Sequence, residues 1–265
     1  MPVTRANVLA TAQRSLAAAG AHDRAGWIGL FTTDGRVEDP VGSEPHRGRA
    51  ALGRFYDTFI EPRAITYQPH LDIVFESTVV RDLLLEIQMA PNLTMRVPTF
   101  IRYDVRADGD DLRIAGLSAY WELPAMIGQF VRGGLGAVPA GIALGRTMIN
   151  NQGLSGGLGF LGGFRGLGTG GRGLFARFLD ESCGGDEVGV RRLAADISIT
   201  RGDSEPLTTS DLVKHLSGGT WHKLIRSGRA VAARVDNGGR PSVLIGELAA
   251  DRAAISRIRL FAEKR

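Results

Sequence analysis

The sequence predicts two tandem α+β domains, each with helices packed on one face of a curved antiparallel sheet. The length of 265 residues suits two domains of ordinary size. The first half passes from helical periodicity to a series of period-two segments, and the second half repeats that order. We therefore expect domains at residues 1–123 and 173–265, joined by a connector at residues 124–172.

Helices open the first domain. Residues 5–19 carry apolar side chains at helical spacing, Thr4 can cap this helix and Gly20 can end it. A short second helix is predicted at residues 23–30, and a third helix with one apolar face at residues 49–60. These helices are expected to cover one face of the sheet.

Strands make up the rest of the first domain. The segment VEDP at residues 37–40 is typical of a short strand that ends in a turn. Period-two alternation and β-branched residues then predict four longer strands. They lie at residues 71–78, 81–89, 94–105 and 112–123.

The second domain shows the same order in a shorter and diverged form. Helical residues 174–182 precede a short helix that Asp186 can begin, and Thr208 with Asp211 forms a capping box at the start of another helix. Strands are predicted at residues 197–200, 220–225, 229–235, 242–248 and 255–263. The alternative, two unrelated α+β domains in succession, stays open at this point.

Composition distinguishes the connector from both domains. Residues 123–179 carry arginines but no acidic residue. They also hold much of the glycine excess of a chain that has 36 glycines. The connector also has too many apolar side chains for a solvated tether, so we expect it to pack against another surface. That surface is either the second domain or an anionic membrane, which residues 126–149 can contact peripherally.

Residue content argues against several classes of function. The single cysteine, Cys183, excludes an internal disulfide and a multi-cysteine metal site, and the scattered histidines suggest no ligand set, so we expect no metal. A phosphate-binding glycine motif is absent, and we expect no cofactor. Arginines interspersed with acids, and few aromatic residues, argue against nucleic-acid binding. The amino-terminal residues lack the apolar core of a signal peptide, which favours a cytoplasmic location.

The segment at residues 37–56, VEDPVGSEPHRGRAALGRFY, is the most specific part of the sequence. It joins an acidic pair before a proline to a Gly-Arg helix start, and the last strand of the domain ends in Tyr120 and Trp121. In type and spacing these residues resemble the ketosteroid isomerase-like branch of the nuclear transport factor 2-like (NTF2-like), or SnoaL-like, superfamily. The resemblance covers residues 5–122. It implies a cone-shaped fold for the first domain and a degenerate second copy of that fold at the carboxyl terminus.

The resemblance also implies a reaction. In this family the aspartate before the proline is the base that moves a proton from the α carbon to the γ carbon of a ketone, and the match assigns that role to Asp39. Trp121 would wall the cavity beside this carboxylate. The implied substrate is a steroid-like or polyketide-like apolar molecule, and the reaction needs no cofactor.

The groups that stabilise the oxyanion in the family do not carry over to this chain. The matching positions hold Ser15 in place of a tyrosine, Thr99 in place of a protonated aspartic acid and Phe31 in place of a second tyrosine. A third tyrosine is retained as Tyr56, and Tyr56 or Tyr120 is a candidate replacement donor. Because loss of one oxyanion donor lowers a rate by about 100-fold to 1,000-fold, we expect a weakened or rebuilt oxyanion hole.

Three functions stay open on the sequence. The first is a steroid Δ-isomerase-like enzyme with Asp39 as its base. The second is a non-catalytic binding protein for a steroid or another apolar ligand, which Ser15 and Thr99 favour. The third is a polyketide cyclase or epoxide hydrolase, which needs a second acid beside Asp39, with Glu38 and Glu86 as candidates. Family members often pair through the open face of the sheet, so the two units can pair within one chain, and the oligomeric state stays open.

Overall fold

The computed structural model describes residues 2–90, 93–132, 170–195, 197–249 and 254–263. Within these ranges the chain forms two α+β units, each built on one six-stranded sheet. The predicted fold class is confirmed.

The first unit contains helices α1 to α4, a π-helix and strands β1 to β6. Their bounds are α1 Arg5–Gly20, α2 Arg24–Gly29, β1 Phe31–Glu38, β2 His46–Arg47, α3 Gly48–Phe55, the π-helix Tyr56–Ile60, β3 Ala64–Phe75, β4 Thr78–Ala90, β5 Leu93–Asp108, β6 Asp111–Tyr120 and α4 Leu123–Arg132. The strands lie in the order β2-β1-β6-β5-β4-β3.

The first sheet is mixed, whereas the sequence predicted an antiparallel sheet. β1 lies beside β6 and runs parallel to it, and the other neighbours are antiparallel. A parallel pair needs a long connection between its strands, and the chain supplies one because α3, the π-helix and four strands separate β1 from β6.

The second unit repeats this arrangement. Its elements are α5 Gly170–Gly184, α6 Glu187–Leu193, β7 Ser198–Arg201, β8 Glu205–Pro206, α7 Thr209–Leu216, β9 Thr220–Ser227, β10 Ala230–Asn237, β11 Arg240–Leu248 and β12 Ile255–Ala262. The strand order is β8-β7-β12-β11-β10-β9, and β7 is parallel to β12 as β1 is to β6.

The same capping arrangement begins the short helix of each unit. Asp23 Oδ1 accepts a hydrogen bond from the N–H of Gly26 at 2.8 Å, and Asp186 Oδ1 accepts one from Gly189 at 2.9 Å. A Cβ at Gly26 would lie 2.0 Å from Asp23 Oδ2, so the cap requires a glycine there. The predicted cap at Thr208 is also formed, since Thr208 Oγ1 accepts the N–H of Asp211 at 3.0 Å.

Strand β3 begins earlier than the sequence predicted. The prediction started at residue 71, whereas β3 starts at Ala64 and runs through Pro69. β3 lies at the edge of the sheet, where a proline removes no hydrogen bond that the ladder needs. The extra residues extend one wall of the unit beyond the predicted strand.

Both faces of the first sheet are buried. On β5, Ile101 and Tyr103 belong to the core between the sheet and its helices, whereas Phe100 belongs to a cluster on the opposite face. This alternation follows from the period of two in a strand. The second unit has its own helix-side core, which includes Phe175 and Phe178.

The two sheets pack against each other through their outer faces. One apolar cluster joins side chains from both units. It contains Ile73, Phe75, Val80, Phe100 and Tyr120 from the first unit, and Ile225, Ala230, Ala232, Val243, Ile245 and Phe261 from the second.

A buried ion pair lies inside this contact. Lys223 Nζ donates to Asp82 Oδ1 at 2.7 Å, to the carbonyl of Thr99 at 2.8 Å and to the carbonyl of Leu83 at 2.9 Å. Arg234 faces the second oxygen of Asp82 at 3.5 Å. All three ammonium hydrogens therefore have acceptors, which offsets the loss of water around the charges.

The predicted connector at residues 124–172 lies mostly outside the described residues. Its first part forms α4 and its last residues begin α5. Of the segment predicted to contact a membrane, residues 126–149, only residues 126–132 are described. In the part of the chain that the structure covers, no helix combines the length and the apolar character needed to span a bilayer.

Candidate functional site

A cavity of about 140 Å³ lies inside the first unit, between the helices and the inner face of the sheet, and it is open to the surface. Most of its walls are apolar side chains from α1, α3, the π-helix and strands β3 to β6, with Met126 contributed by α4. The polar side chains that line it are Ser15, Asp39, Arg63, Tyr103 and Trp121.

Asp39 and Trp121 follow two strands that are parallel neighbours. Glu38, the last residue of β1, pairs with Ser118, two residues before the end of β6, so Asp39 and Trp121 leave the same edge of the sheet close together. Trp121 Nε1 donates to Asp39 Oδ1 at 2.5 Å. The predicted position of the indole next to the carboxylate is thus the one observed.

Burial controls the charge of Asp39. The half-buried carboxylate faces an apolar cavity, and this desolvation raises its pKa from 3.8 to about 6. The indole hydrogen bond acts in the opposite direction, because it stabilises the charged form. Asp39 is therefore ionised at neutral pH and accepts a proton more readily than an exposed carboxylate does.

Tyr103 is a cavity residue that the sequence analysis missed. It lies on β5 with its side chain buried, and burial raises the pKa of its hydroxyl to about 12, while Arg81 and Ser15 act to lower it. Among the described residues, no group makes a hydrogen bond of ordinary geometry with this hydroxyl. Its position four residues beyond Thr99 puts both on the same face of the strand, and that parity was the available signal.

A buried arginine lies behind Tyr103. Arg81 is held by Asp72, with Nε 2.7 Å from Oδ1 and Nη2 3.3 Å from Oδ2, and its buried Nη1 has no hydrogen-bond partner among the described residues. Gln13 Nε2 donates to the same carboxylate at 3.3 Å. The positive charge of Arg81 favours negative charge on the Tyr103 oxygen.

Four of the predicted site residues do not line the cavity. Phe31 and Tyr56 are buried and pack on Trp27, which does line it, at ring-centre distances of 4.7 and 5.5 Å. Thr99 uses its hydroxyl to donate to the carbonyl of Val97 at 2.9 Å. Tyr120 lies in the cluster between the two sheets, so its predicted place in the cavity is wrong. It faces the other way because adjacent strand residues alternate, and Trp121 is its neighbour.

Among the described residues that line the cavity, Asp39 is the one acidic side chain. Glu38 lies outside, where its Oε1 accepts the N–H of Gly42 at 2.7 Å. Glu86 is also outside, paired with Arg96 at 3.1 Å. The second acid that cyclase or epoxide hydrolase chemistry needs is therefore not in this wall.

Helix α4 covers part of the cavity and is attached to the free edge of β5. Gln129 Oε1 accepts the N–H of Arg96 at 3.1 Å, and Gln129 Nε2 donates to the carbonyl of Arg96 at 2.9 Å. The residues of β5 that precede Phe100 have no pairing partner in β6. The side-chain amide therefore takes the place of a neighbouring strand.

Side chains that hold metals do not cluster in the described parts of either unit: no group of three or more His, Cys, Asp or Glu is positioned to bind one ion. The polar groups of the cavity are instead one carboxylate, two hydroxyls, an indole N–H and a guanidinium. Such a set can accept a proton from a carbon acid and donate hydrogen bonds to an oxygen.

Comparison with known proteins places this half of the chain in a family. Residues 12–120 match the family described as a SnoaL-like domain. Similar solved structures include a Δ5-3-ketosteroid isomerase from Mycobacterium sp., 32% identical over 45% of this chain and 96% of that chain, with a TM-score of 0.41. Others are RV0760c from Mycobacterium tuberculosis in complex with estradiol-17β-hemisuccinate, 28% identical over 44% and 95% with a TM-score of 0.41, and an M. tuberculosis LEH-like epoxide hydrolase, 17% identical over 52% and 96% with a TM-score of 0.40. Residues 12–120 are thus a SnoaL-like domain with the NTF2-like fold.

Proposed function

We propose that the first unit binds an apolar ring ketone and moves a proton between two of its carbons, with Asp39 as the base. The observation that carries this proposal is a desolvated carboxylate, pKa about 6, in a largely apolar cavity. The ketone carries a β,γ double bond. The Asp39 oxygen takes the proton from the α carbon between this bond and the ketone, and the C–H electron pair moves into a dienolate. Asp39 then returns the same proton to the γ carbon, so no cofactor is consumed.

Tyr103 is the proposed donor to the ketone oxygen, on which negative charge develops. Its hydroxyl is buried at the cavity wall, has no competing acceptor of good geometry among the described residues, and lies within the electrostatic influence of Arg81. Ser15 lines the same wall and supplies a second, weaker donor. These two groups replace the oxyanion hole whose residues the sequence lacks at the expected positions.

The size of the cavity bears on the substrate. About 140 Å³ is below the roughly 300–1,000 Å³ typical of ligand pockets, so a polycyclic molecule needs the cavity to widen. Among the described residues, helix α4 contacts the cavity through Met126 and strand β5 through the two hydrogen bonds of Gln129, and breaking these contacts would widen the cavity. We propose that ligand binding displaces α4.

The test is an ultraviolet assay with 5-androstene-3,17-dione, whose conjugated product absorbs where the substrate does not. We expect turnover by the wild-type chain, loss of at least about 100-fold in Asp39→Asn, and retention in Glu38→Gln, which changes the adjacent acid outside the cavity. Equal activity of Asp39→Asn and wild type would contradict the assignment of the base.

A second candidate function is binding without catalysis. The observation that favours it is the high pKa of Tyr103, about 12, together with Ser15 where the family has a tyrosine, because both reduce the power of the oxyanion donors. Tight binding of the same steroid with no turnover would support the binding function and exclude the isomerase function. Absence of both binding and turnover would refute the two candidates together.

A further inference from the structure

The cavity carries a cation where it meets solvent. Half-buried Arg63 lies in the turn between the π-helix and β3 and lines the cavity. Its backbone N–H donates to the carbonyl of Ile60 at 3.1 Å, and its Nη1 donates to the carbonyl of Thr58 at 2.7 Å. These bonds hold the guanidinium against the apolar wall and leave most of its five donors available.

Arg63 differs from the other buried or half-buried arginines of the first unit whose side chains are described. Each of the others faces a carboxylate: Arg36 faces Glu38, Arg81 faces Asp72, Arg102 faces Asp104 and Arg113 faces Asp108. In the described ranges no such partner is found for Arg63. Residues 123–179, which follow the last strand of this unit, contain no Asp or Glu. Burial lowers the pKa of Arg63, and no carboxylate offsets that effect.

Asp39 does not serve as the missing partner. Burial raises the pKa of Asp39 and the Trp121 hydrogen bond lowers it, and Arg63 is not among the described groups that shift it. Asp39 follows β1 and Arg63 precedes β3, and these strands are four steps apart in the sheet, about 19 Å measured along it. The cavity therefore presents a base on one side and an unpaired cation on the other.

We propose that the ligand of this cavity is an apolar ring ketone that also bears a carboxylate, and that Arg63 binds this carboxylate while the ketone end lies near Asp39. The inference rests on the proposed function, since it names the substrate class of the same site. A guanidinium matches a carboxylate in planar, two-bonded geometry, and the apolar surroundings strengthen the pair. Arg63 is then the residue that orients the ligand and selects acids over neutral molecules.

The experiment compares two probes that differ in one group, 3-oxo-4-androstene-17β-carboxylic acid and its methyl ester. Dissociation constants are measured by titration calorimetry at pH 7.5 and low salt for the full chain. We expect the acid to bind at least about tenfold more tightly than the ester, and this ratio to fall as salt is added. Arg63→Gln should bring the ratio near one, whereas Arg63→Lys should keep part of it.

Arg49→Gln is the matched control, because Arg49 is an exposed arginine outside the cavity lining and its loss should leave the ratio unchanged. Equal affinity of wild type for acid and ester, or a ratio that survives in Arg63→Gln, overturns the carboxylate proposal. Isomerase turnover of the neutral steroid would still stand in that case. If neither probe binds and the neutral steroid is not turned over, the proposed function has failed and this inference fails with it.

Discussion

The substitution Asp39→Asn should stabilise the folded protein at neutral pH. Desolvation raises the pKa of Asp39 from 3.8 to about 6, so the folded chain holds the proton more tightly than the unfolded chain does. The difference of about 2.2 pH units, at about 1.36 kcal/mol per unit, corresponds to about 3 kcal/mol. This penalty is absent below pH 3.8 and fully present above pH 6.

The expected free energy of unfolding of wild type therefore falls as the pH rises from 3.8 to 6, whereas Asp39→Asn lacks this contribution. At pH 7.5 Asp39→Asn should be more stable than wild type by up to about 3 kcal/mol, because asparagine carries no charge to desolvate and can still accept the indole hydrogen bond. At pH 4 the wild-type carboxyl is protonated in the folded state, and the advantage should nearly vanish. A variant that is more stable but inactive would show that Asp39 is kept for activity at a cost in stability.

Urea unfolding at pH 4, 5, 6 and 7.5 measures this. A Trp221→Phe background leaves Trp27 and Trp121, both in the first unit, as the fluorescent reporters. Glu38→Gln is the control and should keep the wild-type dependence on pH. If Asp39→Asn changes the stability equally at pH 4 and pH 7.5, the carboxylate is not desolvated and the argument for the base is wrong.

Three further substitutions test other parts of the structure. Tyr103→Phe should lower kcat for isomerisation by about 100-fold with little change in KM; an unchanged kcat would exclude Tyr103 as the oxyanion donor. Trp121→Phe removes the N–H that lowers the pKa of Asp39, so the acidic limb of the pH–rate profile should move above pH 6, and a limb that stays in place would contradict the role of that bond. Lys223→Met should lower the free energy of unfolding by about 3 kcal/mol because it leaves Asp82 buried with Arg234 as its remaining cation, and adding Asp82→Asn should recover part of the loss; a single variant as stable as wild type would show that the ion pair does not join the sheets.

Local sequence signals predicted the helix starts and the carboxylate. Thr208 and its partner three residues later form the expected cap, because a cap depends on residues close in sequence. Asp39 was found through a motif, and Trp121 beside it through the end of the last strand. Their contact needs the parallel pairing of β1 with β6, which the sequence analysis did not predict.

The rest of the site depends on which way a strand faces and on distant contacts. Tyr120 and Trp121 are adjacent, and alternation sends one to the sheet contact and the other to the cavity. Tyr103 was missed although it shares a face with Thr99. The role of Arg63 could not be predicted from the sequence. An arginine is free to bind a ligand carboxylate when no Asp or Glu of the protein lies beside it, and only the folded structure shows which acidic side chains are near.

The face-to-face contact between the sheets has a consequence for how the cavity persists in solution. When two separate chains cover each other's sheets, dilution separates them by mass action, and stability depends on protein concentration. Here the covering sheet belongs to the same molecule, so its effective concentration is set by the chain between the units and does not fall on dilution. The contact is also free of two-fold symmetry, so a lysine such as Lys223 can face Asp82 without a mirrored copy of the pair. Substitutions on the outer face of the second unit can therefore alter this contact without a matching change in the first unit, which holds the cavity and Asp39.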